Sequence, residues 1–131
     1  MSTRYSVVIS PFAQRHFIKD FEKKYKGAWS ISWKAIEKEF QNIDVLFERS
    51  IAETIVDSET IKICKTEFRV AGTQQSRHAS GNRCIVALHK DELQIVVLLV
   101  YKKSHLSGST NETAQWKKLV RANLSEYAKL L

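Results

Sequence analysis

Six cations, Lys62, Lys65, Arg69, Arg77, Arg83 and Lys90, fall between residues 62 and 90 against a single acid, Glu67, with His78 and His89 among them. A block of net charge +5 inside a chain of total charge +7 and pI about 9.5 is the electrostatic footprint of a phosphate-backbone binder. A solvated basic face has the same composition, so charge alone leaves both readings open. The residue types narrow the chemistry. Arginine holds two phosphate oxygens with one planar fork and stays charged. Histidine suits proton transfer because its unperturbed pKa, about 6.5, lies near neutral pH. His78 stands directly beside Arg77, in a stretch otherwise rich in small polar residues.

Competing chemistries find no support in the spacing. The chain has no Walker loop, no Gly-x-Ser-x-Gly elbow and no paired-glycine dinucleotide fingerprint. Cys64, Cys84 and the four histidines (16, 78, 89 and 105) never fall at the close intervals of a zinc site, so neither metal nor cofactor is expected. Both cysteines lie inside predicted strands, where they fill small apolar positions rather than act as nucleophiles or form a disulfide framework. The longest apolar run, residues 95–101, is seven residues against the roughly 20 that a bilayer requires. The opening MSTRYSVVISPF lacks a cleavage signature. A cytoplasmic protein without membrane partners is expected.

These groups need a scaffold. With 131 residues, 44% of them hydrophobic, one proline and four glycines, residues 1–131 are expected to form one domain without long linkers. Residues 5–9 read as a strand. Ser10-Pro11 starts a helix, since serine caps and proline fits the first helical position. Ala13, Phe17, Phe21 and Tyr25 then recur at intervals of four, and Gly27 is expected to end that helix. A second helix begins near Ser30 or Ser32 and lines up Trp33, Ile36, Phe40, Ile43 and Phe47, so the two should form a hairpin packed on a sheet. Residues 51–61 are acidic and mixed, an irregular crossing or a short edge strand. Residues 61–71 alternate, with Cys64, Thr66, Phe68 and Val70 on one face and Lys65, Glu67 and Arg69 on the other. Residues 72–82 read as a loop. Strands at 83–89 and 93–101 follow, the second apolar enough to be central and covered on both faces. Ser109 and Glu112 suggest a capping box for a last helix lined by Trp116, Val120, Leu124, Tyr127 and Leu131.

Three segments carry a family resemblance: EFRVAGT at 67–73, SRHASGNR at 76–83 and VLLVYKK at 97–103. With the order βααβββα around them, they resemble the RelE/ParE superfamily of toxins from toxin–antitoxin systems. The match is to a basic strand, a small-and-basic loop ending in Gly-x-Arg, and an apolar strand closing on a basic pair. The resemblance implies an α+β, RelE-like fold: a four-stranded antiparallel sheet, an N-terminal helical hairpin on one face and a short C-terminal helix. It also implies a metal-free, ribosome-associated endoribonuclease that cleaves mRNA and inhibits translation.

Carried over by position, the resemblance places Arg83 on the scissile phosphate and Lys103 at a second basic position ending the last strand. Arg69 joins these as a catalytic candidate. Lys62, Lys65, Arg77, His78 and Lys102 are the candidate RNA-binding residues. Metal-free cleavage needs a base near the ribose 2′-hydroxyl, positive charge on the phosphorane and an acid for the 5′-oxygen. His105 lies nearest the matched strand end and is the first candidate for proton transfer, with His78 second. His16 and His89 read as structural, and Tyr101 as packing. Arg83 has an alternative: a cross-strand salt bridge with Glu67.

The expected partners are a cognate acidic antitoxin and mRNA on the ribosome, as a homo-oligomer or a toxin–antitoxin hetero-oligomer. The alternatives are a ParE-like inhibitor of DNA gyrase and a family member that binds antitoxin or nucleic acid without catalysis.

Overall fold

The computed structural model describes residues 4–106 and 111–131. Strand β1 (Ser6–Ile9) leads into helix α1 (Pro11–Ala13), a π-helical turn (Gln14–Ile18) and α2 (Lys19–Tyr25). Ser10 caps the start, its hydroxyl accepting from the Ala13 N–H at 3.1 Å. The break that follows is made at Lys26, whose φ is +37°, and Gly27 opens the next helix rather than closing the first. Helix α3 (Gly27–Gln41) therefore starts a turn earlier than the serines suggest and adds Trp29 to the buried stripe. Helix α4 (Ile43–Glu48) follows a break at Asn42.

The strands β2 (Ala52–Asp57), β3 (Ile61–Glu67), β4 (Asn82–His89) and β5 (Gln94–Lys102) then run as an antiparallel meander. The chain ends with the short α6 (Lys103–Leu106), α7 (Glu112–Asn123) and α8 (Ser125–Ala128). Asn111 caps α7, its side chain accepting from the Ala114 N–H at 2.7 Å; Ser109 of the expected capping box lies outside the described residues.

The fold is α+β, but several finer expectations are corrected. The sheet has five strands, ordered β1-β5-β4-β3-β2, and it is mixed because β1 pairs with β5 in parallel. The acidic stretch after Ser50 supplies the fifth strand, an edge strand, so the order is not βααβββα. The alternating strand at 61–71 stops at Glu67, and a one-turn helix, α5 (Arg77–Ser80), interrupts the expected loop.

Helices cover both faces of the sheet. Ala13, Ile18, Phe21, Trp29, Ile36, Phe40 and Ile43 pack on one side against Cys64, Cys84 and Val86. Trp116, Val120 and Tyr127 pack on the other against Ile63, Ile85 and Leu99. The apolar stripe of α7 and α8 is thus buried within the chain and needs no partner to shield it. Central β5 is accordingly apolar in both directions. Among the described residues no helix is long and apolar enough to cross a membrane.

Candidate functional site

Cross-strand register creates a charged row on the α7 side of the sheet. Glu67 of β3 faces Arg83 of β4, and Arg83 faces Tyr101 of β5. Directly opposed residues of antiparallel strands point to one face, so the three side chains lie abreast. Lys65 precedes Glu67 by one pleat on that face. Above the row, Glu112 at the first turn of α7 accepts the Tyr101 hydroxyl at 2.5 Å and pairs with Lys65 at 3.3 Å. Burial, and then the hydrogen bond to Glu112, push the Tyr101 hydroxyl well above the ordinary tyrosine range.

Arg83 is the residue most altered by this packing. It is 3% exposed, so its side chain does not reach solvent as its place after a polar loop suggests. Nη1 donates to the Asn82 carbonyl at 3.2 Å, Nη2 lies 3.7 Å from Glu67 Oε1, and Nε is buried without a partner. The Glu67 salt bridge is the alternative that sequence spacing allowed.

Glu67 also faces outward. His78 Nδ1 lies 3.1 and 3.2 Å from its two carboxylate oxygens. The backbone that brings His78 there is tightly specified. Ser76 caps α5 by accepting from the Ala79 N–H at 3.2 Å. Gly81 closes the turn with φ +74°, a left-handed conformation that suits glycine. Ser80 donates to the Phe68 carbonyl at 2.7 Å, and Arg77 is clamped by Glu39 of α3 and reaches the Glu67 carbonyl at 3.4 Å. The hydrogen bond to Glu39 holds the guanidinium firmly in its charged form.

The result is a cleft of about 540 Å³ lined by Arg49, Ser50, Ile51, Glu53, Lys65, Glu67, Ser76, Arg77 and His78. Its volume suits a nucleotide-sized ligand. Ser50, at φ +58°, turns the chain from α4 into β2 and brings Arg49 to the rim. The His78 side chain is 83% exposed, while Glu67 beneath it is 27% exposed. A carboxylate only accepts, so Nδ1 donates, and in the neutral imidazole Nε2 is left with a lone pair. A solvent-facing imidazole oriented by a carboxylate and flanked by cations can take a proton from a hydroxyl held beside a phosphodiester.

The candidate residues do not all converge. Lys65, Arg77 and His78 share the cleft, with Arg83 behind it. Lys62 lies elsewhere, its ammonium 4.6 Å over the Phe47 ring. Arg69 lies outside the cleft, exposed in a neighbouring groove beside α3 with Ile31 and Ala35, a groove that Arg77 also lines. Lys102 and His105 border a small cavity of about 50 Å³ with Phe17, Phe21 and Tyr25. Lys103 is exposed, its backbone N–H donating to the Gly81 carbonyl at 2.6 Å. His89 meets the Tyr127 hydroxyl at 2.8 Å, on the α8 side.

Sequence reasoning missed Arg49, treated Glu112 only as part of a capping box, and treated Glu67 only as a partner for Arg83. The signal for Glu67 was present: it is the lone acid of a basic block, one pleat from Lys65. Among the described residues no group of three His, Cys, Asp or Glu side chains is placed to hold a metal ion. No protein-family model, curated protein or solved structure matches the chain.

Proposed function

We propose that this chain is an RNA-cleaving toxin of RelE type and that its phosphodiester site is the His78 cleft. The observation that carries the reading is the contact between His78 and Glu67 inside a cleft lined by Arg49, Lys65 and Arg77. His78 Nε2 takes the proton of a ribose 2′-hydroxyl. The 2′-oxygen bonds to the neighbouring phosphorus, the bond to the 5′-oxygen breaks, and the leaving oxygen takes a proton from water in the open cleft. Arg49 supplies positive charge to the phosphorane, where charge stabilisation contributes most, and Lys65, paired with Glu112, adds to the local field. Arg77, already bound to Glu39, anchors the loop. The products are a 2′,3′-cyclic phosphate and a 5′-hydroxyl end. Ribosome-bound mRNA as substrate, and an acidic antitoxin that silences the chain through Lys102 or Lys103, belong to the same proposal and follow from the family resemblance.

The test is cleavage of a mixed-sequence single-stranded RNA, free and in a translating extract, beside the same oligonucleotide made of deoxynucleotides. Cleavage of the RNA alone, with cyclic phosphate ends and loss of activity in His78→Ala, is the expected result. An intact RNA in both settings overturns it, and relaxed plasmid in a gyrase supercoiling assay would then identify the non-cleaving alternative.

A further inference from the structure

We infer that Arg83 is a positioning residue of the cleft: from its buried place abreast of Glu67 it holds that carboxylate, and Glu67 holds the His78 ring with its second nitrogen facing the substrate. The inference rests on the cleft being the phosphodiester site. One oxygen, Glu67 Oε1, lies 3.7 Å from Arg83 Nη2 and 3.1 Å from His78 Nδ1. A single carboxylate therefore joins a buried guanidinium to an exposed imidazole. Arg83 cannot itself contact a phosphate in this arrangement, because it is 3% exposed and lies under α7. Keeping a guanidinium there is costly: burial removes its hydration, and Nε finds no acceptor. An apolar residue of similar length would fill the same space without that cost. What only a cation supplies is a fixed attraction on the inner side of Glu67. Without it the carboxylate is free to turn toward Lys65, which lines the same cleft, and the imidazole loses its orienting acceptor.

The experiment uses the full chain and five variants: Arg83→Met, Arg83→Lys, Glu67→Gln, His78→Ala and Arg83→Met combined with His78→Ala. Nitrogen NMR of the His78 ring in ligand-free protein reports which ring nitrogen carries the hydrogen. The wild type is expected to show the Nδ1–H form, Arg83→Met to lose it, and Glu67→Gln, whose amide oxygen still accepts but carries no charge, to keep it only in part. On single-stranded RNA, Arg83→Met is expected to lower kcat about 10- to 100-fold, as loss of a histidine-orienting partner does elsewhere. KM should stay within about twofold, since uniform binding is untouched. Added to His78→Ala, Arg83→Met should lower kcat no further, the mark of two residues acting through one group. The ring signature needs no RNA. An unchanged tautomer in folded Arg83→Met overturns the positioning role whatever the activity, whereas a shifted tautomer in a chain that cleaves no RNA upholds it and removes the RNA reading. Should Arg83→Met not fold, Arg83→Lys is read in its place: it keeps the buried cation on a shorter reach. A partial loss of the Nδ1–H form is then expected, and no loss overturns the inference.

Discussion

Glu112→Gln tests whether the first turn of α7 is held on the sheet by the charge network. The Glu112 side chain is 11% exposed and Lys65 is 20% exposed, while Tyr101 is 1% exposed. A hydrogen bond to a charged group contributes about 1.5–3 kcal/mol and a neutral one about 1, so glutamine, which still accepts from Tyr101, forfeits about 1 kcal/mol there. The partly exposed pair with Lys65 adds at most about 1 kcal/mol. The expected loss is about 1–2 kcal/mol near neutral pH, or a fall in Tm of about 4–7 °C for a chain of this size. The loss should also depend on pH. Burial opposes ionisation of Glu112, but the Tyr101 hydrogen bond, Lys65 and Arg83 outweigh it and hold the carboxyl below its ordinary 4.5. A carboxyl with a lowered folded pKa stabilises the fold fully above its unfolded value. That contribution is lost as pH falls through the folded one. Urea denaturation of both proteins across a pH series should therefore show a gap near pH 7 that closes as pH falls below the ordinary 4.5 and through the lowered folded value, with unchanged m. A gap that stays constant into acid, or none at all, would show that Glu112 does not carry the contact.

Two histidine variants separate the candidate centres. His78→Ala is expected to leave stability within about 0.5 kcal/mol, because the side chain is exposed, while lowering RNA cleavage about 10²- to 10⁴-fold. His105→Ala should retain activity; an equal loss there would return the chemistry to the end of β5. Trp116 is fully buried, so Trp116→Ala should cost about 3–5 kcal/mol in urea denaturation, and a cost under about 1 would mean that α7 does not pack on the sheet. Burial pushes the Cys64 thiol up to about 12 and raises Cys84 as well. Iodoacetamide near pH 8 should therefore leave native protein unlabelled and label it only as urea unfolds it, whereas labelling of the folded chain would contradict the buried placement of both thiols.

Periodicity makes much of this fold legible. Ile36, Phe40 and Ile43 recur at helical spacing and all three are buried, and the apolar run of β5 marks a strand covered on both sides. Strand β2 carries no such mark. Its residues Glu53, Thr54 and Asp57 are exposed at a sheet edge, so their types are set by water rather than by a core. The parallel pairing of β1 with β5 is hidden for another reason. An apolar run such as Val7-Val8-Ile9 says that a strand forms, but its partner lies far along the chain and local pattern is silent on that choice.

The site divides in the same way. Arg77 and His78 are adjacent in the chain, and their shared location needs only the one-turn helix α5 that opens with them. Arg83 reads as exposed because it follows polar residues, yet register sets it between Glu67 and Tyr101, and α7 then closes over it. Three cations of the basic block also have a fate that composition hides. Glu39 takes Arg77 from a helix far upstream, Glu112 takes Lys65 from one far downstream, and Glu67 takes Arg83 from the next strand. Net charge is a sum, and it sets the long-range field that draws in a polyanion whether or not the charges are paired. What faces the cleft is the short-range remainder, Arg49 at the rim and an imidazole aimed by a carboxylate. Pairing across the sheet decides which charges hold the structure and which are left to face the cleft.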